Sequence, residues 1–556
     1  MNVTEGTVAG TSVVSMINNS SNKNNTSKNA INIESNTITA HGNAKGIKSI
    51  SNDFSSINSN IIHTTDQTEG DGVELSNNFG TIISCNQFVQ NGDHANKTAS
   101  AIFNKLSAYS FIQCNELNDF PVGMEFFGMN LDDIIKGNEF KNHNLGLLYD
   151  HEAVTGEQKF NGNTWNYIYP WYGAVHTSGD KGLIEESKYF VDGGNYLNHL
   201  TTIHTGTLAD WFISNSDFSS FQCSPSSSCL FGTPDIFRIA PDRDSLNLAI
   251  SNDSLHSLVY PGSYSWMAKR QLYKSFLHWP TSLQEHSDYQ SFYANNTNET
   301  VGKFSSIEYA VKSSVQPDST QMTNLESYRT SQEFARNMLD SLEAQPVLNL
   351  PAISQAYSQL NTAKTGAGQI FQNIASNWST IVNQQDTANQ AIYTQYDYEA
   401  NQKFANSLWL KSLLDGIQSI SDSQMTLLAN LAYQCPLEAG QGVITARAIL
   451  MQLGNYSFDD RTLCEPVENR ENKNATKISE VGFYPNPASS EITLAFPNNL
   501  DCQRLKIVNI VGQVLSILES PKSGQSVKID SLANGLYILV FEFKDSASQT
   551  LKLFKN

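Results

Sequence analysis

The sequence predicts a multidomain, mainly β chain: a coil of short parallel strands, an α-helical middle region and a C-terminal Ig-like β-sandwich. Three observations predict it. An Asn motif recurs through the first third of the chain, apolar residues then fall at helical spacing, and near the end they alternate with polar ones. The 556 residues allow three or four domains at roughly 100–200 residues each.

Composition sets the expected boundaries. Residues 1–30 are polar and read as disordered, 31–178 carry the repeat, and 179–318 form an irregular or mixed segment. Residues 319–464 read as helical, 465–480 as a linker and 481–556 as the terminal module. Residues 1–163 hold 9 Lys plus Arg against 17 Asp plus Glu, whereas 479–556 hold 7 of each; such a shift in charge marks separate modules.

The repeat places Asn36, Asn60, Asn86, Asn115, Asn138 and Asn163 at spacings of 24, 26, 29, 23 and 25 residues. A small residue followed by apolar ones trails each: Gly46-Ile47, Gly72-Val73-Glu74-Leu75, Ala101-Ile102-Phe103, Gly123-Met124-Glu125-Phe126, Gly146-Leu147-Leu148-Tyr149 and Gly173-Ala174-Val175. One turn cannot bury its apolar side chains alone, but turns stacked about 4.8 Å apart build a continuous core. Asn amides can then hydrogen-bond from turn to turn as a ladder, and Asn tolerates the left-handed backbone that a corner needs. The pattern resembles the right-handed parallel β-helix family over roughly residues 30–175. Cys85 and Cys114 take equivalent places in successive turns and are expected to be buried thiols.

That resemblance implies a test for catalysis, because the family includes many polysaccharide lyases and hydrolases. Such chemistry needs two cooperating carboxylates, or a carboxylate and a base, on one face. The candidates are Asp132-Asp133 and Asp93-His94. Adjacent residues of a strand point to opposite faces, and both pairs read as turn residues. The aromatics after the last repeat, Trp165 and Trp171 among them, could stack on sugar rings; a cap on the end of the coil is the preferred reading.

Met322, Leu325, Ala335, Met338 and Leu342 share one face of a first helix, which Pro346 and Pro351 interrupt. Ala388, Ile392, Tyr396, Ala400, Phe404 and Leu408 continue at a spacing of four, followed by Met425 to Cys435 and Val443 to Leu453. No His or Glu pair at metal-ligand spacing interrupts these stripes, so neither metal nor cofactor is expected. Disulfides are plausible for Cys435 with Cys464 and for Cys223 with Cys229 in an exported protein; buried thiols are the alternative.

In the tail, Ile492, Leu494 and Phe496, then Leu505 and Ile507, then Val527 and Ile529, then Tyr537, Leu539, Phe541 and Phe543, then Leu551 and Leu553 alternate as short strands. Four ordered motifs accompany them: Tyr484-Pro485-Asn486-Pro487, Val511-Gly512-Gln513-Val514, Leu532-Ala533-Asn534-Gly535-Leu536-Tyr537 and Leu551-Lys552-Leu553-Phe554-Lys555. Residues 479–556 resemble the type A C-terminal sorting domain of the type IX secretion system of Bacteroidetes. The resemblance implies recognition by the translocon, removal of the tail, and release of the cargo or its attachment to surface lipopolysaccharide. Family cargo also carries an N-terminal signal peptide, and Met1-Asn2-Val3-Thr4-Glu5 has neither a basic nor an apolar region. The chain therefore reads as the C-terminal part of a longer protein, or as one whose start is misassigned.

A net charge of −19 with only 16% charged residues argues against nucleic-acid binding, which needs clustered Lys and Arg. The longest apolar run is far short of the roughly 18 residues of a membrane span. The expected function is that of a non-enzymatic secreted or cell-surface protein with the coil as an adhesive or glycan-contacting surface; the alternative is a polysaccharide-degrading enzyme.

Overall fold

The structure is a computed structural model, and it describes residues 2–5, 12–17, 31–42, 44–65, 70–91, 98–159, 161–166, 172–192, 203–205, 211–215, 221–223, 244–315, 317–347, 349–454, 456–464, 482–484, 488, 490–495, 502–509, 514–533, 535–544 and 549–555. It divides into two compact units, Met1–Cys464 and Glu465–Asn556.

The first unit is built on a β-solenoid with three long parallel sheets of seven, eight and five strands, to which successive turns of the chain add strands in parallel. The inward rows are apolar. Ile38, Ile62, Phe88, Leu117, Phe140 and Trp165 line the first sheet, and Ile47, Val73, Ile102, Met124, Leu147 and Ala174 line the second. The small residue of the second motif has a steric cause. A Cβ on Gly72 would stand 2.6 Å from Ala101 O and 2.8 Å from the Phe88 ring, so the second sheet passes directly over the large side chains of the first.

The corner before each repeated Asn is left-handed, but Asn does not supply it. Positive φ falls one residue earlier, at Ser35, Ser59, Cys85, Cys114, Gly137 and Gly162. The Asn thereby keeps its own N–H and side chain available for the neighbouring turn. Asn60 Nδ2 lies 3.0 Å from Asn86 Oδ1, Asn86 Nδ2 3.0 Å from Asn115 Oδ1, and Asn115 Nδ2 2.9 Å from Asn138 Oδ1. Asn36 and Asn163 end the stack at 3.2 and 3.0 Å. Each amide from Asn60 to Asn163 also donates to a backbone carbonyl in the turn before, as Asn115 does to Ile83 O at 2.9 Å. These amides are inside the coil, where an unpaired one would cost about 1–3 kcal/mol.

Four expectations are corrected. Within residues 1–30, Asn2–Glu5 and Ser12–Ile17 are strands that pair in parallel with Thr37–His41 and Lys45–Ile50. Val14 packs against the solenoid core, a contribution that a polar average over the segment hides. The coil also continues past residue 178, with Tyr189–Asp192, Ile203–Thr205 and Phe212–Asn215 adding strands.

The third correction concerns residues 179–318, which are helical from Ser245 onward: Ser245–Ser251, Pro261–His278, Ser287–Asn296 and Thr300–Ser314. Pro261–His278 buries residues around its whole circumference, from Tyr264 and Trp266 to Arg270, Lys274 and Phe276, so no one-sided stripe marks it. Farther on, Ser319–Glu343 and Leu350–Gln390 form an antiparallel pair around Ala335, Leu339, Ala356 and Leu360. The stripe from Ala388 to Leu408 is cut at Gln390, and a new helix, Asp397–Asp415, begins after it.

The fourth correction concerns the cysteines. Cys223 is bonded to Cys114, not to Cys229, and Cys85 is disulfide-bonded as well; the remainder of the 224–230 loop lies outside the described residues. Cys85 and Cys114 hold the left-handed corner positions, which turn their side chains away from the core and toward neighbouring chain. Cys435 and Cys464 are joined.

The helices share one core with the outer side of the solenoid. Phe54, Phe79 and Tyr109, stacked at another corner, meet Trp279 with ring centroids at 6.1, 5.3 and 5.1 Å. Apart from the separate cluster of Ala335, Leu339, Ala356 and Leu360, the helical region is therefore not a separate bundle but a cover on the coil.

The second unit has two antiparallel sheets. Gly482–Tyr484, Glu491–Ala495 and Ser526–Lys528 form one, and Val514–Glu519, Cys502–Asn509, Gly535–Phe543 and Gln549–Lys555 form the other. Ile492, Leu494, Leu505, Ile507, Ile529, Leu539, Phe541 and Leu553 make its core.

Candidate functional site

In the second unit the first and last motifs meet. Ala488, just after Tyr484-Pro485-Asn486-Pro487, bridges to Lys555 in the final strand, and Gly535 pairs with Lys555 across the sheet. Tyr537, two residues on, is buried and donates its hydroxyl to Ala533 O at 2.8 Å, which pins the turn that begins at Leu532. Leu532 packs on the core. Pro485, Asn486, Pro487 and Gly512 lie outside the described residues. Lys555 is itself buried, so the chain end is part of the packed module. Val514–Glu519 is an edge strand with Val514, Leu515 and Ile517 exposed, leaving a row of backbone groups open to pairing.

In the first unit the chemistry concentrates on the outer side of the second sheet, under the segment that ends at Cys464. Lys48, Glu74, Phe103 and Glu125 form one outward row. Lys45 pairs with Glu74 and lies 3.1 Å from Asp71. Lys105 joins Glu74 at 2.8 Å to Asp460 at 2.9 Å, and Arg447 reaches Asp460 at 2.7 Å. Arg461 Nε and Nη2 grip the Glu125 carboxylate at 2.8 and 2.6 Å, a two-pronged pairing that suits guanidinium geometry. Its guanidinium also lies 4.2 Å from the Phe103 ring centroid.

Burial opposes charge on all these groups, and their partners decide the outcome. Burial raises the Glu74 carboxyl, but Lys105, Lys45 and Lys48 outweigh it and hold it well below the usual range. Burial pulls Lys48 down to about 8, with Glu74 only partly opposing. Burial likewise raises Glu125 against the pull of Arg461. Asp460 is held low by Arg447 and Lys105 against its burial. These are carboxylates consumed by structural pairs.

This cluster was not foreseen. The signal was present in the second motif, where Glu74 and Glu125 sit between apolar neighbours at a position that alternation sends outward. Arg461, the partner of Glu125, and Asp460 and Arg447, which join the cluster through Lys105, lie more than 300 residues away and carry no local mark.

The sequence candidates for catalysis fare as follows. Asp133 is fully buried and accepts from Ser110 N at 2.6 Å and Asn104 Nδ2 at 2.5 Å. Asp132 is buried, takes a left-handed corner and accepts from Asn247. The two therefore serve a corner and a helix contact. Asp93 and His94 lie outside the described residues. Trp165 is only 1% exposed, stacks on Phe140 at 5.0 Å and donates to Gly173 O at 3.0 Å. It is core and cannot meet a glycan; Trp171 lies outside the described residues. Among the described residues no group of three His, Cys, Asp or Glu is placed to hold a metal ion, and no helix is long and apolar enough to cross a membrane.

Exposed aromatics do occur elsewhere. Tyr396 and Tyr398 stack at 5.2 Å and 12°, Tyr398 leans on Trp266 at 5.3 Å, and Tyr393 on the same loop is 84% exposed. The pile ends in the half-exposed Tyr396 ring.

No curated protein matches the chain. Its last 75 residues do match a family: 482–556 correspond to the secretion system C-terminal sorting domain. That address implies export to the cell surface or beyond and an interaction with the type IX secretion machinery. The antiparallel module formed by Tyr484, Ala488, Tyr537 and Lys555 is thus a secretion system C-terminal sorting domain, and the solenoid precedes it in the same chain.

Proposed function

We propose that the chain is a non-enzymatic cargo of the type IX system in a Bacteroidetes bacterium, with the solenoid and its helical cover serving as a structural or adhesive body at the cell surface. The observation that carries this reading is the commitment of the solenoid's clustered carboxylates. Asp71, Glu74, Glu125 and Asp460 are buried in ion pairs, and Asp133 is spent on hydrogen bonds, so these carboxylates are engaged by the protein's own groups. The three described long sheets also differ in use. The second is covered by helices, while the first presents the partly exposed rows Thr37, Ile61, Gln87, Glu116, Glu139 and Thr164 as an extended flat surface. A surface of this kind suits adhesion better than a cleft would. The test is surface biotinylation of the native protein with and without a working translocon; loss of labelling in the mutant supports the reading, and unchanged labelling contradicts it.

A second reading, glycan or lipopolysaccharide contact, is favoured by the Tyr393, Tyr396 and Tyr398 group. Aromatic faces stack on the apolar faces of sugar rings, and this pile is held rigid from behind by Trp266. Binding of surface polysaccharide that is lost in Tyr396→Ala, with folding unchanged, is the expected outcome; equal binding by the variant removes this reading.

A further inference from the structure

Two small polar cavities lie between the solenoid and the helices, of about 20 and 10 Å³. They share Arg270, Glu308, Asn77 and Gln441 in their walls. The larger has room for one or two non-hydrogen atoms, since a water needs roughly 10–15 Å³ by the same measure.

The surrounding charge does not balance. Among the described residues, Arg270, Lys274 and Lys312 form ion pairs with two carboxylates, Asp53 and Glu308. His278, beside Asp53, adds no charge, because burial drives its pKa down to about 3. The five paired groups thus leave one net positive charge in a buried place. Arg270 bears most of the deficit. Its one carboxylate, Glu308 at 3.5 Å, is shared with both lysines at 2.9 Å. Burial accordingly pulls the guanidinium down to about 10.

Two donors in this wall lack acceptors. Arg270 Nη1 donates to Gln402 and Gln441, each at 2.8 Å, but buried Nε has no partner among the described residues. Asn406 Oδ1 accepts from Gln402 Nε2 at 2.8 Å, which fixes the amide orientation and leaves buried Nδ2 likewise without a partner. Glu308 also lines the cavity, but its charge is spent on three cations. Burial raises its pKa, and Lys274, Lys312 and Arg270 outweigh that and hold it well below the usual range. Two orphaned N–H donors, an excess positive charge and space for about one heavy atom together call for an acceptor-only, singly charged ligand.

We propose that the larger cavity binds one halide-sized anion, such as chloride, between Arg270 and Asn406. A water could accept the same hydrogen bonds but would leave the charge uncompensated.

The test uses the whole protein. Its unfolding midpoint is measured against rising chloride, with gluconate matching the ionic strength. A specific site predicts a saturable upward shift with chloride that gluconate does not reproduce. Asn406→Asp places a negative charge at the site from within and is expected to fold without any dependence on chloride. Bromide diffracted at its absorption edge provides the independent readout on the unaltered protein: an anomalous peak near Arg270 Nε and Asn406 Nδ2 confirms the anion. No anomalous peak, together with identical midpoints in chloride and gluconate, overturns the proposal and leaves a water-filled void.

Discussion

Arg461 and Glu125, 336 residues apart, meet as a two-pronged ion pair with Nη2 2.6 Å from Oε2. The pair joins the last turn before the disulfide at Cys464 to the middle of the solenoid. It explains why the helices and the coil form one unit: the segment that closes the cover is tied by charge to the sheet beneath it.

Breaking this pair from one side leaves the other charge buried. Arg461→Met is expected to destabilise the first unit by about 3 kcal/mol in denaturant unfolding. The double variant Arg461→Met with Glu125→Gln should recover much of that loss, because neither charge then remains. Equal destabilisation in the single and double variants would show that the two do not couple.

The Asn stack predicts a gradient. Asn115→Ala strips acceptors from Asn86 N and Nδ2 and donors from Ile83 O and Asn138 Oδ1, all inside the coil. A loss of about 3 kcal/mol or more is expected from several unmet groups. Asn36→Ala, at the half-exposed end of the stack, should cost clearly less. Equal costs, measured by thermal unfolding, would contradict a continuous hydrogen-bonded stack.

Two buried histidines set an acid limit. Burial lowers His176 and His278 to about 3, only partly opposed by Asp150 and Asp53 respectively. The unfolded chain takes up these protons near pH 6.5, while the folded protein does not. Stability is therefore expected to fall as pH drops from about 6.5 toward 3. His278→Phe keeps the ring packing against Phe79 and should reduce the slope of stability against pH by about one proton. An unchanged slope would mean that His278 titrates normally.

The disulfides act at different ranges. Cys114–Cys223 spans 109 residues and Cys435–Cys464 spans 29. On chain-entropy grounds, losing the first should cost about 4–5 kcal/mol and losing the second about 3–4 kcal/mol. Paired Ser variants compared in denaturant would show the order; a reversed order would indicate that strain or residual structure dominates.

Much of this architecture was legible because it is periodic. The Asn spacing gave the solenoid, and the ordered tail motifs gave the sorting module, since both repeat or recur at short range. The left-handed corners at Ser59, Cys85 and Cys114 were displaced by one residue from the expected place, because tolerance of positive φ is not the only demand on Asn there. Pro261–His278 was missed because burial on every side erases amphipathic spacing. The pairing of Cys223 with Cys114 and of Arg461 with Glu125 was not legible at all. Both depend on which distant segments the cover brings to the solenoid, and nothing in the local sequence of either residue encodes that.

The most direct test of the central claim compares the full chain with a chain ending at Cys464, both given the same added N-terminal signal peptide and expressed in a bacterium with an active type IX system. The truncated chain retains its compact first unit and both described disulfides. The account predicts that the full chain reaches the surface or the medium while the truncated chain stays inside the cell, folded. Equal export of the two would contradict it, because the address would then not lie in residues 482–556.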